Sequence, residues 1–103
     1  MSISVLLVED HQIVREGTRQ LLELHQDMQI VGEASDGLEA VSLAGVLQPD
    51  VIVMDVRLPK LNGVEATRAI TTRHPKIKVL ILSAYEDDSY VFPLLDAGAS
   101  GYL

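Results

Sequence analysis

The chain reads as an α/β domain, a doubly wound parallel sheet with helices on both faces. Three observations predict this. The runs Ile3–Val8 (ISVLLV), Val51–Met54 (VIVM) and Lys78–Leu82 (KVLIL) are almost wholly apolar and rich in β-branched residues. Such runs mark strands buried on both faces. Segments of helical period alternate with them at short loop lengths, and a strand–helix alternation of that kind builds a parallel sheet. Right-handed crossovers then restrict the strand order to a few choices, among them 2-1-3-4-5.

The central element is Val51-Ile52-Val53-Met54-Asp55, followed by Val56-Arg57-Leu58-Pro59. The apolar run stops on a carboxylate, and Pro59 cannot continue a strand ladder. Ligands of open α/β sheets bind outside the carboxyl ends of the strands. Chemistry is therefore expected at Asp55, although a strand-end aspartate can also serve only its own turn.

The other elements follow in order. The first strand ends on Glu9-Asp10. From His11 to Leu24 the period is helical, with Val14, Thr18, Leu21 and Leu22 on one stripe and Arg15, Arg19 and Glu23 facing water. Asp10 is placed as the cap of that helix. Gln29–Ala34 is a short strand weakened by Gly32. Ser35 or Asp36 caps a helix from about Leu38 to Leu47, with Leu38, Ala40, Val41, Ala44 and Leu47 apolar. Asn62-Gly63 opens a third helix, with Val64, Ala66, Thr67 and Ile70 towards the sheet. His74-Pro75 closes it, because the residue before proline is pushed out of α geometry. A short helix over about Asp88–Asp96 contains Pro93, which either kinks it or sits in its first turn. Gly98-Ala99-Ser100-Gly101 then turns into a fifth strand at Tyr102-Leu103.

Composition narrows the function classes. A chain of 103 residues is at most one domain, and 48% hydrophobic content supports a real core. Aromatics are few (Tyr85, Tyr90, Phe92 and Tyr102), so the core is aliphatic. No cysteine is present, which excludes disulfides, thiolate metal sites and a cysteine nucleophile, and fits the cytoplasm. The N-terminus has no signal-peptide pattern, and no apolar run approaches the roughly 20 residues a bilayer span needs. A net charge of −7 disfavours nucleic acid and anionic membranes as partners, so any DNA contact would fall to another domain.

Three apolar strands end on Glu9-Asp10, Asp55 and Ser83. With the first and third strands adjacent, the carboxylates converge on one rim, where like charges repel unless a cation sits among them. An all-oxygen set suits a hard ion, Mg²⁺ by default. One carboxylate could then attack phosphorus, and Ser83 could offer its hydroxyl to a phosphoryl oxygen beside the small Ala84.

The pattern resembles the receiver domain of two-component response regulators. The matching stretches are LLVEDH (6–11), DG (36–37), PDVIVMDVRLPKLNG (49–63), VLILSAY (79–85) and DAGASGYL (96–103). The resemblance covers the whole chain, 1–103, and implies a flavodoxin-like (βα)₅ fold. By position it implies that Asp55 accepts a phosphoryl group from the phosphohistidine of a sensor histidine kinase. Asp10 and Asp55 would bind Mg²⁺ together with the backbone carbonyl of Arg57, and Glu9 would help through water. Ser83 would bond the phosphoryl oxygen, and Tyr102 would be the aromatic switch coupled to it, a two-state element biased by a local charge event. The Arg57 side chain is expected to reach over the pocket and tune phosphoryl lifetime.

The segment SAYEDD…DAGASGYL is most similar to receivers joined to LuxR-type helix-turn-helix domains, which implies a transcription regulator that dimerises when phosphorylated. A stand-alone receiver acting by protein contact is the nearer alternative. The lysine and fifth helix that the family carries after its fifth strand fall beyond Leu103, so the expectation is a C-terminally truncated receiver lacking that helix. A helix covering even ~300 Å² of apolar sheet contributes on the order of 7 kcal/mol of gross burial, comparable to a domain's net stability. The bare face is therefore expected to be covered by a second copy, a swapped segment or residues outside this sequence. A monodisperse, stable monomer would contradict that.

A Mg²⁺-dependent phosphohydrolase is the competing class. Haloacid-dehalogenase-type phosphatases need a second Asp two residues after the nucleophile, and toprim nucleases need Asp-x-Asp; Arg57 stands there instead. A flavodoxin-like nucleotide binder would need a Gly-rich loop where Glu9-Asp10 stands. His11, His25 and His74 have no ligand spacing and read as surface or loop residues, and Arg15, Arg19, Arg68 and Arg73 as solvated helix faces.

Overall fold

The structure is a computed structural model that describes residues 2–55, 57–82 and 97–102, Tyr102 by its backbone alone. Its elements run β1 (Ile3–Val8), α1 (Gln12–Glu23), β2 (Met28–Ala34), α2 (Gly37–Leu47), β3 (Val51–Met54), α3 (Gly63–Arg73), β4 (Lys78–Ile81) and β5 (Gly101–Tyr102). All strand pairs are parallel, as the apolar pattern predicts, and the order is β2-β1-β3-β4-β5, one of the few that right-handed crossovers leave. The helix expected near Asp88–Asp96, with Pro93, lies outside the described residues.

Alternation along the strands divides the core into two layers. Leu6, Val8, Ile52, Met54, Val79 and Ile81 face α2 and α3, where Ala40, Ala44, Ala66 and Ile70 meet them, all buried. Val5, Leu7 and Val53 point to the opposite face and form a smaller cluster with Leu22, Ile30, Val51 and Leu82. The alanines of α2 and α3 let those helices lie close to the sheet; Leu38, expected among the inward residues of α2, is 55% exposed instead. In β2 the register against β1 slips after Val5: Val5 faces Ile30 but Leu6 faces Gly32. A Cβ at Gly32 would stand 2.6 Å from Leu47 Cδ1, so glycine lets α2 pack at this irregularity.

Helix α1 departs from its expected stripe. Leu22 reaches the sheet, whereas Val14 (53%) and Leu21 (66%) are exposed. Ion pairs line the side of α1 that faces β2. Arg15 Nε lies 3.3 Å from Glu33 Oε1 on β2, and the Arg19 guanidinium pairs with Glu33 and Glu23. At 100° per residue Arg15 falls on nearly the same side as Leu22, and Val14 and Leu21 fall on the flank away from β2. Arg15 is thus half-buried, not a solvated residue.

Candidate functional site: an acidic rim with a histidine

The parallel register assembles the site. Val8 pairs with Met54, and the ladder continues beyond both strands: Asp55 N donates to Val8 O (3.1 Å) and Glu9 N to Ala34 O (3.0 Å). Glu9 and Asp55 therefore emerge side by side at the carboxyl edge of the sheet. Leu82 N donates to Met54 O (3.0 Å), bringing β4 to the same edge just before Ser83, which lies outside the described residues. Tyr102 sits on β5 opposite Ile81; its side chain lies outside the described residues as well.

One ligand atom from each of Glu9, Asp10, His11 and Asp55 lies within 4.8 Å of the others. Glu9 is buried, Asp55 half-buried, and Asp10 and His11 are exposed. Burial first, and then the Asp55 carboxyl beside it, push the Glu9 carboxyl above its usual range, while contacts from His11 pull it partly back. The Glu9 hydrogen bond first, and then the charges of Asp10 and Glu9, raise His11.

One expectation about these residues is corrected. The cap of α1 is His11, not Asp10, and it makes no side-chain cap bond. Glu9 competes for that role: its Oε1 accepts from His11 N at 3.2 Å and lies 2.7 Å from His11 Nδ1. This leaves the Asp10 carboxylate in the cluster, 3.2 Å from the same ring nitrogen. His11 is exposed, as expected of a surface residue, and its ring stands against the rim carboxylates. A histidine directly after two acids at a strand end was the available signal.

The surrounding loops are tied down. Arg15 Nη1 donates to Glu9 O (2.8 Å), fixing the end of β1, and Arg57 N donates to Asp55 Oδ1 (3.2 Å). The loop after β3 makes a tight turn at Lys60, which has a φ of 68° in the left-handed region, with Leu61 N donating to Pro59 O (2.7 Å). It docks on the start of α2, where Gly37 N donates to Pro59 O (3.3 Å) and Lys60 Nζ lies 3.4 Å from Asp36 Oδ2. Asp36 caps α2 by accepting from Glu39 N (2.8 Å), and these contacts hold its carboxyl below the usual range, the Glu39 amide most of all. The Asp-Gly pair thus anchors the loop that carries Arg57.

The donor set fits a divalent cation. Three carboxylates share one edge, and Glu9 is held there at an electrostatic cost that a cation would relieve. The imidazole nitrogen is the one departure from an all-oxygen set.

A doubly wound sheet with an acidic cluster at the carboxyl ends of its first and third strands defines a class of α/β domains that bind at that edge. The family model for the response regulator receiver domain matches residues 5–103. The chain is 46% identical over 101 residues to the transcriptional regulatory protein DegU of Brevibacillus brevis, covering 98% of this chain and 43% of that protein. Among solved structures, a LuxR-family two-component response regulator from Aurantimonas sp. SI85-9A1 superposes with a TM-score of 0.94 at 39% identity, over 99% of this chain and 73% of that one. The receiver domain of the putative response regulator NarL from Mycobacterium tuberculosis gives 0.94 at 33% identity, over 99% and 82%. The chain belongs to the response regulator receiver domain family. It spans about half the length of the curated relatives it matches. Receivers of this family are not enzymes in the ordinary sense. Among the described residues, no helix is long and apolar enough to cross a membrane.

Proposed function

We propose that the chain, as one receiver domain, accepts a phosphoryl group on Asp55 from a phosphohistidine of a sensor histidine kinase. The observation that carries this reading is the emergence of Asp55 beside Glu9 and Asp10, with the Asp55 carboxylate steadied by Arg57 N. An Asp55 carboxylate oxygen attacks phosphorus, the P–N bond to the kinase imidazole breaks, and its electron pair leaves on the ring nitrogen. Asp10, Asp55 and the Arg57 carbonyl would hold Mg²⁺ directly and Glu9 through water. The ion supplies offsetting charge at the phosphoryl oxygens. The Ser83 hydroxyl donates to a phosphoryl oxygen, and Tyr102 follows it as the switch. Attack of water on the acyl phosphate returns free Asp55, and the Arg57 side chain tunes that lifetime; an Arg57→Ala variant with unaltered lifetime would remove this role.

The named relatives, transcriptional regulatory proteins, support a role in transcription regulation; our reading adds a cytoplasmic location, a DNA-binding domain outside this chain, and a receiver that pairs with a second copy, as a homodimer or through a swapped segment. The test is intact mass after incubation with a small phosphodonor and Mg²⁺. One phosphoryl adduct is expected, absent in Asp55→Asn and with chelator. No adduct, even on a chain extended by the family's lysine and fifth helix, would reject Asp55 as the acceptor.

A further inference from the structure

We propose that His11 is a ligand of the rim cation and turns a Mg²⁺ site into a mixed nitrogen–oxygen site that prefers first-row transition ions such as Mn²⁺ and Co²⁺. The inference rests on the reading of the rim as a divalent-cation site and concerns which ion it selects. His11 is held inward from several sides. Its backbone is extended (φ −87°, ψ 113°) as the cap of α1, and Arg15 N donates to its carbonyl (2.9 Å), closing the first turn. Its own N–H donates to Glu9 Oε1 (3.2 Å), and its ring Nδ1 stands 2.7 Å from that same oxygen and 3.2 Å from Asp10 Oδ1. The ring therefore lies over the strand end although the residue is exposed.

Donor atoms at about 2.0–2.2 Å from a metal stand at most about 4.4 Å apart. The donors of Asp10, His11 and Asp55 already lie within 4.8 Å of one another, with Glu9 beside them to act through water, so rotation of the exposed Asp10 and His11 side chains closes the remainder. Mg²⁺ takes oxygen and keeps its waters, so an imidazole adds little to its binding. Imidazole nitrogen suits Mn²⁺, Co²⁺ and Ni²⁺ increasingly well along the first row. The same four residues should then rank metals differently from three carboxylates alone.

The experiment titrates the chain and its His11→Ala variant with Mg²⁺ and with Co²⁺ by calorimetry. Electron spin echo spectra of the Mn²⁺-loaded proteins are recorded alongside. Three results together support the proposal. His11→Ala weakens Co²⁺ at least tenfold, leaves Mg²⁺ within about threefold, and abolishes a ¹⁴N coupling that the original chain shows to Mn²⁺. Equal weakening of both ions, or no ¹⁴N coupling in the original chain, would overturn it and make His11 a positioning residue that bonds Glu9. Unchanged affinities for both ions would overturn it too, while leaving the cation site intact. Absence of binding by either ion would reject the cation site itself.

Discussion

Gly37 lies directly against the Leu61 carbonyl. A Cβ built at position 37 would fall inside van der Waals contact of that oxygen and stand 2.6 Å from its carbon. The neighbour is backbone, held by the Pro59–Leu61 turn, so it has little room to give. Gly37→Ala should therefore cost about 1–3 kcal/mol in urea or thermal unfolding, the range for overpacking. It should also weaken divalent-cation binding, since the displaced loop carries Arg57. A variant of unchanged stability would show that the loop moves freely.

The crowding of Glu9 against Asp55 predicts a stability gain from removing one charge. The folded-state pKa of Glu9 is raised, so the folded chain holds this proton more tightly than the unfolded one. Metal-free stability accordingly falls as pH rises from the ordinary glutamate range through the raised value, and the penalty is complete above it. Glu9→Gln keeps an acceptor for His11 and removes the penalty. Its metal-free melting midpoint at pH 7.5 should exceed that of the original, and the gap should close as pH falls into the ordinary glutamate range. The stabilisation by Mg²⁺ should shrink in the variant. A lower midpoint would mean that the Glu9 charge is already compensated.

At the opposite end of the sheet the sign reverses. Asp50 Oδ2 accepts from Ser4 N (2.8 Å) and Ser4 Oγ (3.0 Å), and these bonds, the amide first, hold its carboxyl below the usual range. A depressed pKa contributes stability that is complete above the ordinary aspartate range and is lost as pH falls through the folded value. The stability difference between the original chain and Asp50→Asn should be constant from about pH 5 to 8 and shrink below about pH 4. A difference independent of pH down to acid unfolding would show that the carboxylate charge contributes nothing there.

The central strands were legible because VIVM and KVLI are apolar at every position that pairing buries, and their ends carry the acids that mark the rim. The caps at Asp36 and Asn62 followed from local chemistry, each accepting from the amide three residues on. Helix α1 was less legible. Arg15 and Arg19 pair with Glu33, which lies 14 residues beyond Arg19 in the chain, and no periodicity within α1 encodes that partner. The placement of His11 beside the acids was hidden for a related reason. Ligand spacing is sought within one helix or loop, whereas this set joins the ends of two strands through their register.

Thr67 carries the last prediction. It is fully buried on α3, and its Oγ1 has no hydrogen-bond partner among the described residues. Burying an unpaired hydroxyl costs about 1–3 kcal/mol by mutational measures. Valine has nearly the same shape and a similar helix propensity, so Thr67→Val should raise stability by about 1 kcal/mol. The neighbouring Thr71 provides the contrast, because its hydroxyl donates to Thr67 O (2.8 Å) or to Ala97 O (2.7 Å), joining α3 to the segment before β5. Thr71→Val removes that donor beside the half-buried carbonyls and should lower stability by about 1 kcal/mol. Opposite signs for the same chemical change, one turn apart on the same helix, are the expected result of paired thermal melts. Two losses of similar size would show that the Thr67 hydroxyl finds a partner in solution.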